Sequence, residues 1–336
     1  MFAELIQPVL ERRDLTSEGA TQLMEHLLSG ASPDAQIGGA LLALRVKGCT
    51  TQELAAFATV LRNKAVQLEH PFTDLVDTCG TGGGSPSFNM STAAAIVAAA
   101  AGARIAKHGN RAVTSKCGMA DVLEALGIQL GGESSELLRK LTDFNLVFLF
   151  APAHHSAMRV VGQARRDLGI RTVFNQLGPL ANPAGARRQL IGVYDAGLMR
   201  SMGEALRALG ADRALLVHGF DDLDEISPVA PTEFVKLWDG KVSTGTLTPH
   251  DFGLEPVDPR ALIPGQTAAE SAEMLVEAVS DVNSLRAKAI LPNVAAALWL
   301  GGVAETLPDG AERAKAAIAT GAAEEKLRAL QRADAL

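Results

Sequence analysis

The sequence predicts an α/β protein with a small N-terminal helical domain and a large α/β domain built on a mainly parallel central sheet. Two observations support this fold class. Residues 1–70 contain only helical patterns, whereas from about residue 73 short apolar strands alternate with helical segments. The chain is also long for one domain, at 336 residues. We therefore expect a helical domain over 1–70 and an α/β domain over 71–336.

Composition narrows the possible partners. The chain has 31 Lys and Arg against 38 Asp and Glu, a net charge of −7, which argues against general binding to nucleic acid or to acidic membranes. The 3 cysteines are too few and too scattered for a disulfide scaffold and are typical of reduced thiols in a cytosolic protein. No apolar signal core follows the first residues, and no segment approaches ~18 uninterrupted apolar residues. These features predict a cytoplasmic protein with no membrane or nucleic-acid partner.

The first 70 residues predict about four short amphipathic helices. Ser32 followed by Pro33 is typical of an N-cap and a first helical position. Thr50 and Glu53 have capping-box spacing, and Gly48 is a plausible helix stop. Such helices form a small bundle, and an apolar bundle face is a common place for two copies to associate.

Five apolar segments predict the parallel strands of the second domain: 74–79, 103–108, 146–151, 189–195 and 214–219. Helices are predicted between them and after them: 91–101, 120–127, 154–169, a segment between 195 and 214, 268–280, 284–300 interrupted by Pro292, and 309–333. Residues 233–249 alternate around Asp239 and Gly240, which predicts a β-hairpin.

A glycine-rich loop, GTGGGSPSFNMST over 80–92, follows the first predicted strand and opens a helix. Backbone N–H groups without side chains around them can surround phosphate oxygens, and the helix N-terminus adds positive potential. Asn89, Ser91 and Thr92 can cap the helix or donate to an anion. The loop is neither a Walker A loop nor a dinucleotide fingerprint, since no Gly-Lys-Ser/Thr follows and Ser85 occupies the third glycine position. The alternative is a tight strand-to-helix turn, although four glycines in five residues exceed what a turn needs.

A basic loop, Lys107–Met119, lies between a short strand and a helix. Its cationic and imidazole side chains are Lys107, His108, Arg111 and Lys116. Such a concentration of positive charge in an acidic protein suits a small polyanion, with Asn110 and Ser115 available for hydrogen bonds. A solvated basic loop is the alternative, and His108 alone would be structural.

The segment HGFDDLDEIS, 218–227, follows a buried strand. Asp224 and Glu225 at a strand end suit Mg²⁺, which takes one or two carboxylates together with waters and substrate phosphates. An acidic surface turn is the alternative. With the two preceding loops, this pair suggests a site for a phosphorylated sugar and a hard metal ion.

An arginine cluster occupies 163–192, where Arg165, Arg166 and Arg171 precede a rigid turn over 178–183. One of these arginines could bind a substrate carboxylate with two parallel hydrogen bonds. For any single arginine, a place on a helix surface is an equal alternative.

Over nearly its whole length the chain resembles the anthranilate phosphoribosyltransferase family of tryptophan biosynthesis. The resemblance is carried, in the family's order and spacing, by Gly80–Gly83, NMST (89–92), KHGNRAVTSKCG (107–118), ADVLEALG (120–127), HHSAMR (154–159), RRDLGIRTVFNQLGPLANPA (165–184), RQLIGVYD (188–195), VHG (217–219) and LDEIS (223–227). It implies a fold similar to pyrimidine nucleoside phosphorylases, with a helical segment near 163–186 joining the small domain, and a homodimer through that domain.

The resemblance also implies a reaction. Anthranilate and 5-phosphoribosyl 1-diphosphate (PRPP) would give N-(5-phosphoribosyl)anthranilate and diphosphate with Mg²⁺, expected as two ions. The residues implied for metal binding are Ser91, Asp224 and Glu225. The residues implied for catalysis are Lys107, Asn110 and Arg165.

Substrate-binding residues are carried over position by position. Those implied to hold PRPP are Gly80, Gly82, Gly83, Asn89, Ser91, Thr92, Lys107 and Ser115. Asn110 and Arg165 match the anthranilate positions, with His108 and Pro179 lining that pocket. Neighbouring positions in the same motifs complete the predicted substrate site: Thr81, Gly84, Ser87, Met90, Gly109, Arg111, Ala112, Val113, Thr114 and Met119.

Three positions depart from the family pattern. Gly84 stands where an Asp is usual, in a loop that looks one residue shorter; Met119 stands where a Ser contacts phosphate; and Asp222 replaces a Gly. We expect altered metal handling and substrate affinity without loss of activity. Two rivals remain: a pyrimidine nucleoside phosphorylase, which shares the fold and an anion site, and a non-enzymatic relative that binds nucleic acid.

Overall fold

The structure, a computed structural model, describes residues 2–111 and 117–334. It begins with four helices: α1 (Phe2–Leu10), α2 (Ser17–Leu27), α3 (Asp34–Lys47) and α4 (Thr51–Lys64). The capping box of Thr50 and Glu53 is confirmed. The predicted N-cap of α3 was wrong by one residue, because Pro33 is the N-cap and the Ser32 hydroxyl donates to the carbonyl of His26, at 2.9 Å.

One seven-stranded sheet organises the rest of the chain, in the order β3-β2-β1-β4-β5-β6-β7. Its strands are β1 (Val76–Gly80), β2 (Ile105–Gly109), β3 (Leu146–Phe150), β4 (Arg188–Gly192), β5 (Arg213–Gly219), β6 (Thr232–Trp238) and β7 (Lys241–Leu247). The first five are parallel, and β6 and β7 add an antiparallel hairpin at one edge. The predicted mainly parallel sheet and hairpin are confirmed.

Helices connect the parallel strands. They are α5 (Met90–Ala100), α6 (Met119–Ala125), α7 (Ser134–Phe144), α8 (Ala151–His154), α9 (Gly162–Leu168), α10 (Val173–Leu177) and α11 (Ala196–Ala208). The single helix predicted over 154–169 was wrong: α8, a 3₁₀ turn over Ser156–Arg159 and α9 replace it. His155, with φ −110 and ψ 62, lies outside the helical region and separates the first two pieces. The predicted stop at Gly169 is confirmed, in left-handed geometry.

The chain ends in α12 (Ala268–Ser280), α13 (Leu285–Gly301), α14 (Leu307–Ala319) and α15 (Ala322–Asp334). The interruption predicted at Pro292 was wrong, since α13 continues through that residue. The single helix predicted over 309–333 was also wrong, because Thr320 and left-handed Gly321 divide it.

Helices cover both faces of the sheet. On β5, Leu215 and Val217 pack towards α13 and α14, whereas Leu216, between them, packs towards α11 and the N-terminal helices. The segment of α9 and α10 shares the latter core, through Ala164 and Phe174. Within the described ranges, no helix is long and apolar enough to cross a membrane.

Candidate active site

Two cavities lie at the carboxyl edge of the sheet, where β1 ends at Gly80, β2 at Gly109 and β5 at Gly219. In parallel α/β sheets this edge is the usual position of ligand sites. One cavity, of about 390 Å³, is bordered by the glycine-rich loop and the acidic pair, and we name it the donor cavity. The other, of about 560 Å³, lies between β2, α9 and the turn after α10, and we name it the acceptor cavity.

The glycine-rich loop leaves β1 and is fixed at its start by Thr81. The Thr81 N–H donates to the carbonyl of Gly192 at 2.8 Å, and the Thr81 hydroxyl accepts from Tyr194 N at 3.0 Å. Thr81 therefore anchors the loop to β4 rather than lining either cavity. The residues of this segment that do line the donor cavity are Gly82, Gly83, Gly84, Ser85, Pro86, Ser87, Phe88, Asn89, Met90 and Ser91.

Gly84 lies directly against the acidic turn. A Cβ at this position would stand 2.6 Å from the Asp224 N and 2.8 Å from the Asp222 carbonyl oxygen. Ser85 extends the contact, with its N–H donating to Asp222 O at 2.7 Å and its hydroxyl donating to Asp221 O at 2.9 Å. In this backbone, the aspartate side chain that the family resemblance implies at position 84 would therefore meet the acidic turn.

The structure also explains how Asp222 and Met119, the two other departures from the family pattern, are accommodated. Asp222 adopts φ 61, the left-handed conformation that glycine accepts most easily and that aspartate tolerates. The sulfur of Met119 would lie 2.6 Å from a Cβ on Gly109, so the methionine packs on the end of β2 and does not line the donor cavity.

Lys107, on β2, is buried with 3% of its surface exposed. Its Nζ donates to the carbonyl of Thr78 and lies 3.1 Å from the Ser91 hydroxyl. Burial lowers the pKa of Lys107, while the negative charges of Asp77 and Glu225 oppose that shift. Lys107 itself lines neither cavity, but its ammonium lies beside Ser91, which borders the donor cavity, and supplies positive potential there.

The acidic pair is electrostatically unfavourable by itself. Burial raises the pKa of Asp224, and burial together with the Asp224 charge raises the pKa of Glu225 to about 8, against the influence of Lys107 and hydrogen bonds from Ser91. A bound divalent cation would stabilise the charged form of these two adjacent carboxylates. The described residues include no group of three His, Cys, Asp or Glu suited to a metal. Two carboxylates and a hydroxyl fit Mg²⁺, which completes its shell with water and phosphate oxygens.

The acceptor cavity is lined by aromatic and imidazole groups together with arginines. The rings of His108 and His155 lie with centroids 5.2 Å apart, and both residues line the cavity. Burial lowers the pKa of His108 to about 3 and that of His155 to about 4, so both are neutral at pH 7. They present apolar ring faces suited to a flat aromatic molecule.

Arg165, on α9, brings positive charge into the acceptor cavity. Its guanidinium lies 5.3 Å from the centroid of the Phe174 ring, and burial lowers its pKa. Among the described residues it has no carboxylate partner. Asn110 and Pro179 line the same cavity. The acceptor cavity therefore brings together all four residues predicted for anthranilate: His108, Asn110, Arg165 and Pro179.

The sequence analysis did not identify Asp77 and Asn182, which connect β1 and β2 to the turn after α10. Fully buried Asp77 accepts from His108 N at 3.0 Å and from Asn182 Nδ2 at 2.8 Å. Asn182 also donates to Ala106 O at 2.9 Å, so the end of β2 is held to the turn that carries Pro179. An acidic residue inside an apolar strand was the signal available, since buried carboxylates are rare unless paired.

Other predicted substrate residues stand apart from the cavities. Thr92 is buried in α5, and Arg111 pairs with Asp121 at 3.0 Å and with Glu124 at 2.5 Å. Four predicted residues lie outside the described ranges: Ala112, Val113, Thr114 and Ser115. Substrate contact at all of these positions stays a prediction.

Comparison with known proteins finds matches over almost the whole chain. A glycosyl transferase family, helical bundle domain, matches residues 3–65, and a glycosyl transferase family, a/b domain, matches residues 72–324. The anthranilate phosphoribosyltransferase of Myxococcus xanthus (strain DK1622) is 47% identical over 329 residues, 97% of each chain.

Solved structures extend the similarity to the whole fold. The anthranilate phosphoribosyltransferase of Thermus thermophilus matches with a TM-score of 0.91 and 35% identity, over 99% of each chain. The Saccharomyces cerevisiae enzyme in complex with PRPP and Mg matches with a TM-score of 0.88 and 28% identity, over 99% of this chain and 98% of that one. A 336-residue chain with this sheet, these two cavities and these full-length relatives belongs to the anthranilate phosphoribosyltransferase family.

Proposed function

We propose that the donor cavity binds PRPP and that the acceptor cavity binds anthranilate. The reaction is the family's: the 5-phosphoribosyl group passes to the amine of anthranilate, giving N-(5-phosphoribosyl)anthranilate and diphosphate, a step of tryptophan biosynthesis. The observation that carries the assignment is the shared border of the cavities. The end of β1 contributes Gly80 to the acceptor cavity and the next loop residues to the donor cavity.

In the donor cavity, backbone N–H groups and the buried ammonium of Lys107 would bind the anion. The N–H groups of Gly82, Gly83 and Ser91 would hold phosphate oxygens at the start of α5, where the helix N-terminus adds positive potential. Lys107 would neutralise negative charge on the departing diphosphate through the position of its Nζ beside Ser91.

The residues Ser91, Asp224 and Glu225 would hold Mg²⁺, which supplies further neutralisation of the diphosphate charge when it is bound. The yeast relative was solved with PRPP and Mg. Titration of Mg²⁺ into protein saturated with PRPP should show two ions per chain, as the family resemblance implies.

In the acceptor cavity, the chemistry is mainly orientation. The amine of anthranilate keeps its lone pair at neutral pH and needs no strong base to expose it. Arg165 and Asn110 would hold the carboxylate, and the neutral rings of His108 and His155 would flank the aromatic ring. The amine nitrogen then forms its bond to ribose C1 as the C1–O bond breaks, and the electron pair leaves with diphosphate. The nitrogen finally loses a proton to solvent.

The decisive experiment follows anthranilate fluorescence over time with purified protein, PRPP and Mg²⁺. A decrease in signal that requires all three components is expected. A constant signal from folded protein, over a range of metal and substrate concentrations, would contradict the assignment. Phosphate-dependent release of a base from uridine or thymidine would then favour the nucleoside phosphorylase, and a salt-dependent shift of DNA mobility the nucleic-acid-binding relative.

A further inference from the structure

Arg171 lies in the short connection between α9 and α10, and it lines the donor cavity together with Gly83 and Asp224. The helix before this connection, α9, carries Arg165 into the acceptor cavity. One segment therefore delivers an arginine to each cavity. The family motifs gave a role to Arg165 only.

The position of the Arg171 guanidinium is fixed on two sides. Its carbon lies 4.1 Å from the centroid of the Tyr194 ring, and its Nη2 donates to the carbonyl of Gly83. A planar guanidinium over an aromatic face is a favourable contact, worth about 0.5–2 kcal/mol depending on desolvation. Tyr194 follows β4, so the rigid sheet holds the arginine in place.

Gly83 is shaped to admit this side chain. A Cβ on Gly83 would lie 2.7 Å from Arg171 Nη2 and 3.0 Å from its guanidinium carbon. Gly83 also has φ 93, which an L side chain rarely adopts. The absence of a side chain at Gly83 thus lets the guanidinium lie on the backbone of the phosphate-binding loop.

Arg171 retains donors for a ligand. A guanidinium carries five N–H groups, and within the described ranges the only hydrogen bond of Arg171 is the one to Gly83. No carboxylate forms an ion pair with it among those residues; burial raises the pKa of nearby Asp224, and the positive charge of Arg171 opposes that rise. A half-buried cation with unused donors that borders an anion-binding cavity is suited to phosphate oxygens.

We propose that Arg171 is a second cationic residue of the donor site, which fixes the glycine-rich loop through Gly83 and binds the diphosphate of PRPP with its remaining N–H groups. Diphosphate is favoured over the 5-phosphate because Arg171 borders the acidic pair, where the metal and diphosphate would meet. The inference depends on the proposed assignment of the donor cavity. It gives Arg171 a part in holding the leaving group as the C1–O bond breaks.

The test compares Arg171→Gln and Arg171→Lys with Arg139→Gln, a change at an exposed arginine of α7. For Arg171→Gln we expect the KM for PRPP and the inhibition constant of inorganic diphosphate each to rise about tenfold or more, equivalent to about 1.4 kcal/mol. The KM for anthranilate should stay within about twofold, as should every constant of the control. Arg171→Lys should recover part of the diphosphate affinity, because it keeps the charge and loses the planar contact.

Two results would overturn the inference. The first is an unchanged diphosphate inhibition constant in folded Arg171→Gln; if only the KM for PRPP rises, Arg171 binds the 5-phosphate instead. The second is an equal loss of affinity for both substrates with a lowered thermal midpoint in both Arg171 variants, which indicates a purely structural residue. Lys107→Met separates these outcomes from failure of the cavity assignment, since it should weaken PRPP binding whatever Arg171 does.

Discussion

Lys107 is the residue on which the proposed chemistry depends most. Its ammonium is buried beside Ser91, and replacement by methionine keeps much of the side-chain volume but removes the charge. We expect Lys107→Met to reduce turnover about 10²–10³-fold with the fold intact, because charge on the leaving diphosphate is no longer neutralised. Steady-state kinetics by anthranilate fluorescence measures the turnover, and far-UV circular dichroism checks that the fold is intact.

The matched control is Lys241→Met, at an exposed lysine of β7, which should keep normal turnover. Near-normal turnover in Lys107→Met would remove Lys107 from the mechanism. Loss of the circular dichroism signal would instead call for Lys107→Gln, which keeps a hydrogen-bond donor at the same site.

His108 makes a second prediction, about pH and stability. Burial lowers the pKa of His108 from 6.5 to about 3, so the unfolded chain binds a proton here at pH values where the folded chain does not. Its contribution to the free energy of unfolding is therefore present above pH 6.5 and is lost as pH falls towards 3. Between pH 7 and pH 5 the loss from this group is about 2 kcal/mol.

Urea unfolding at pH 7 and pH 5 tests this value. The decrease in unfolding free energy between the two pH values should be smaller in His108→Gln than in the unsubstituted chain, and unaltered in His250→Gln, at an exposed position. Equal pH dependence in all three proteins would show that His108 does not stay neutral in the folded state.

Single residues of the site divide clearly into those that the sequence revealed and those that it did not. Lys107, on β2, and Asp224 and Glu225, in the turn after β5, belong to segments whose composition already indicated phosphate and metal chemistry. Asn182 could not be paired with Asp77, because 105 residues separate them and only the folded chain brings the turn after α10 to within 2.8 Å of this β1 carboxylate. The stack of Arg171 on Tyr194 is of the same kind.

Elements were predicted well where local periodicity and capping agreed with packing. Pro292 was read as a break because proline inside a helix costs about 3 kcal/mol. Yet α13 is buried almost continuously from Ala289 to Leu298, so packing outweighs that cost, and Lys288, whose carbonyl loses its partner, is exposed to water. The helix α7 was not predicted, although its Glu133 and Glu136 form a capping box.

The helix α4 joins the N-terminal bundle to the acceptor site through Arg62. Its Nε donates to Leu180 O at 2.7 Å, in the turn beside Pro179, and its Nη1 donates to Leu209 O at 3.3 Å, at the end of α11. Arg62→Met leaves both carbonyls without this donor, at a cost of about 1–3 kcal/mol in unfolding free energy. Loosening of the turn should also raise the KM for anthranilate about fivefold and leave that for PRPP within about twofold.

Urea unfolding and two-substrate kinetics check both effects, with Arg139→Met as the exposed control. If both KM values change together, α4 does not act on the acceptor cavity in particular. If neither stability nor KM changes, the two hydrogen bonds contribute nothing in solution.

At the scale of the whole molecule, both cavities lie at one edge of the sheet, and each is closed on its other side by a different element. The donor cavity is closed by the acidic turn after β5, and the acceptor cavity by α9, which packs with the N-terminal helices. Movement of the helical bundle relative to the sheet would therefore open or close the acceptor side first. Hinge motion of this kind often controls turnover.

The surface of the helical bundle leads to a last prediction. Large apolar side chains are exposed on α1 and α3: Leu10 by 60%, Leu42 by 47% and Val46 by 63%. Leu42 and Val46 are four residues apart and so share one face of α3. We propose that this face of α3 joins two copies of the chain into a homodimer, since exposed apolar side chains that share a face are typical of an interaction surface.

Light scattering after size exclusion should therefore give twice the mass of one chain. Leu42→Glu and Val46→Glu should each shift the protein towards the monomer, because a carboxylate would be buried against apolar surface in the dimer. Ile263→Glu, at an apolar residue of the α/β part with 54% exposure, should leave the mass unchanged. A monomeric unsubstituted protein would exclude the dimer, and a dimer that survives both substitutions on α3 would place the interface elsewhere. If the monomeric variants keep their anthranilate KM, the residues of one chain are sufficient for the acceptor site.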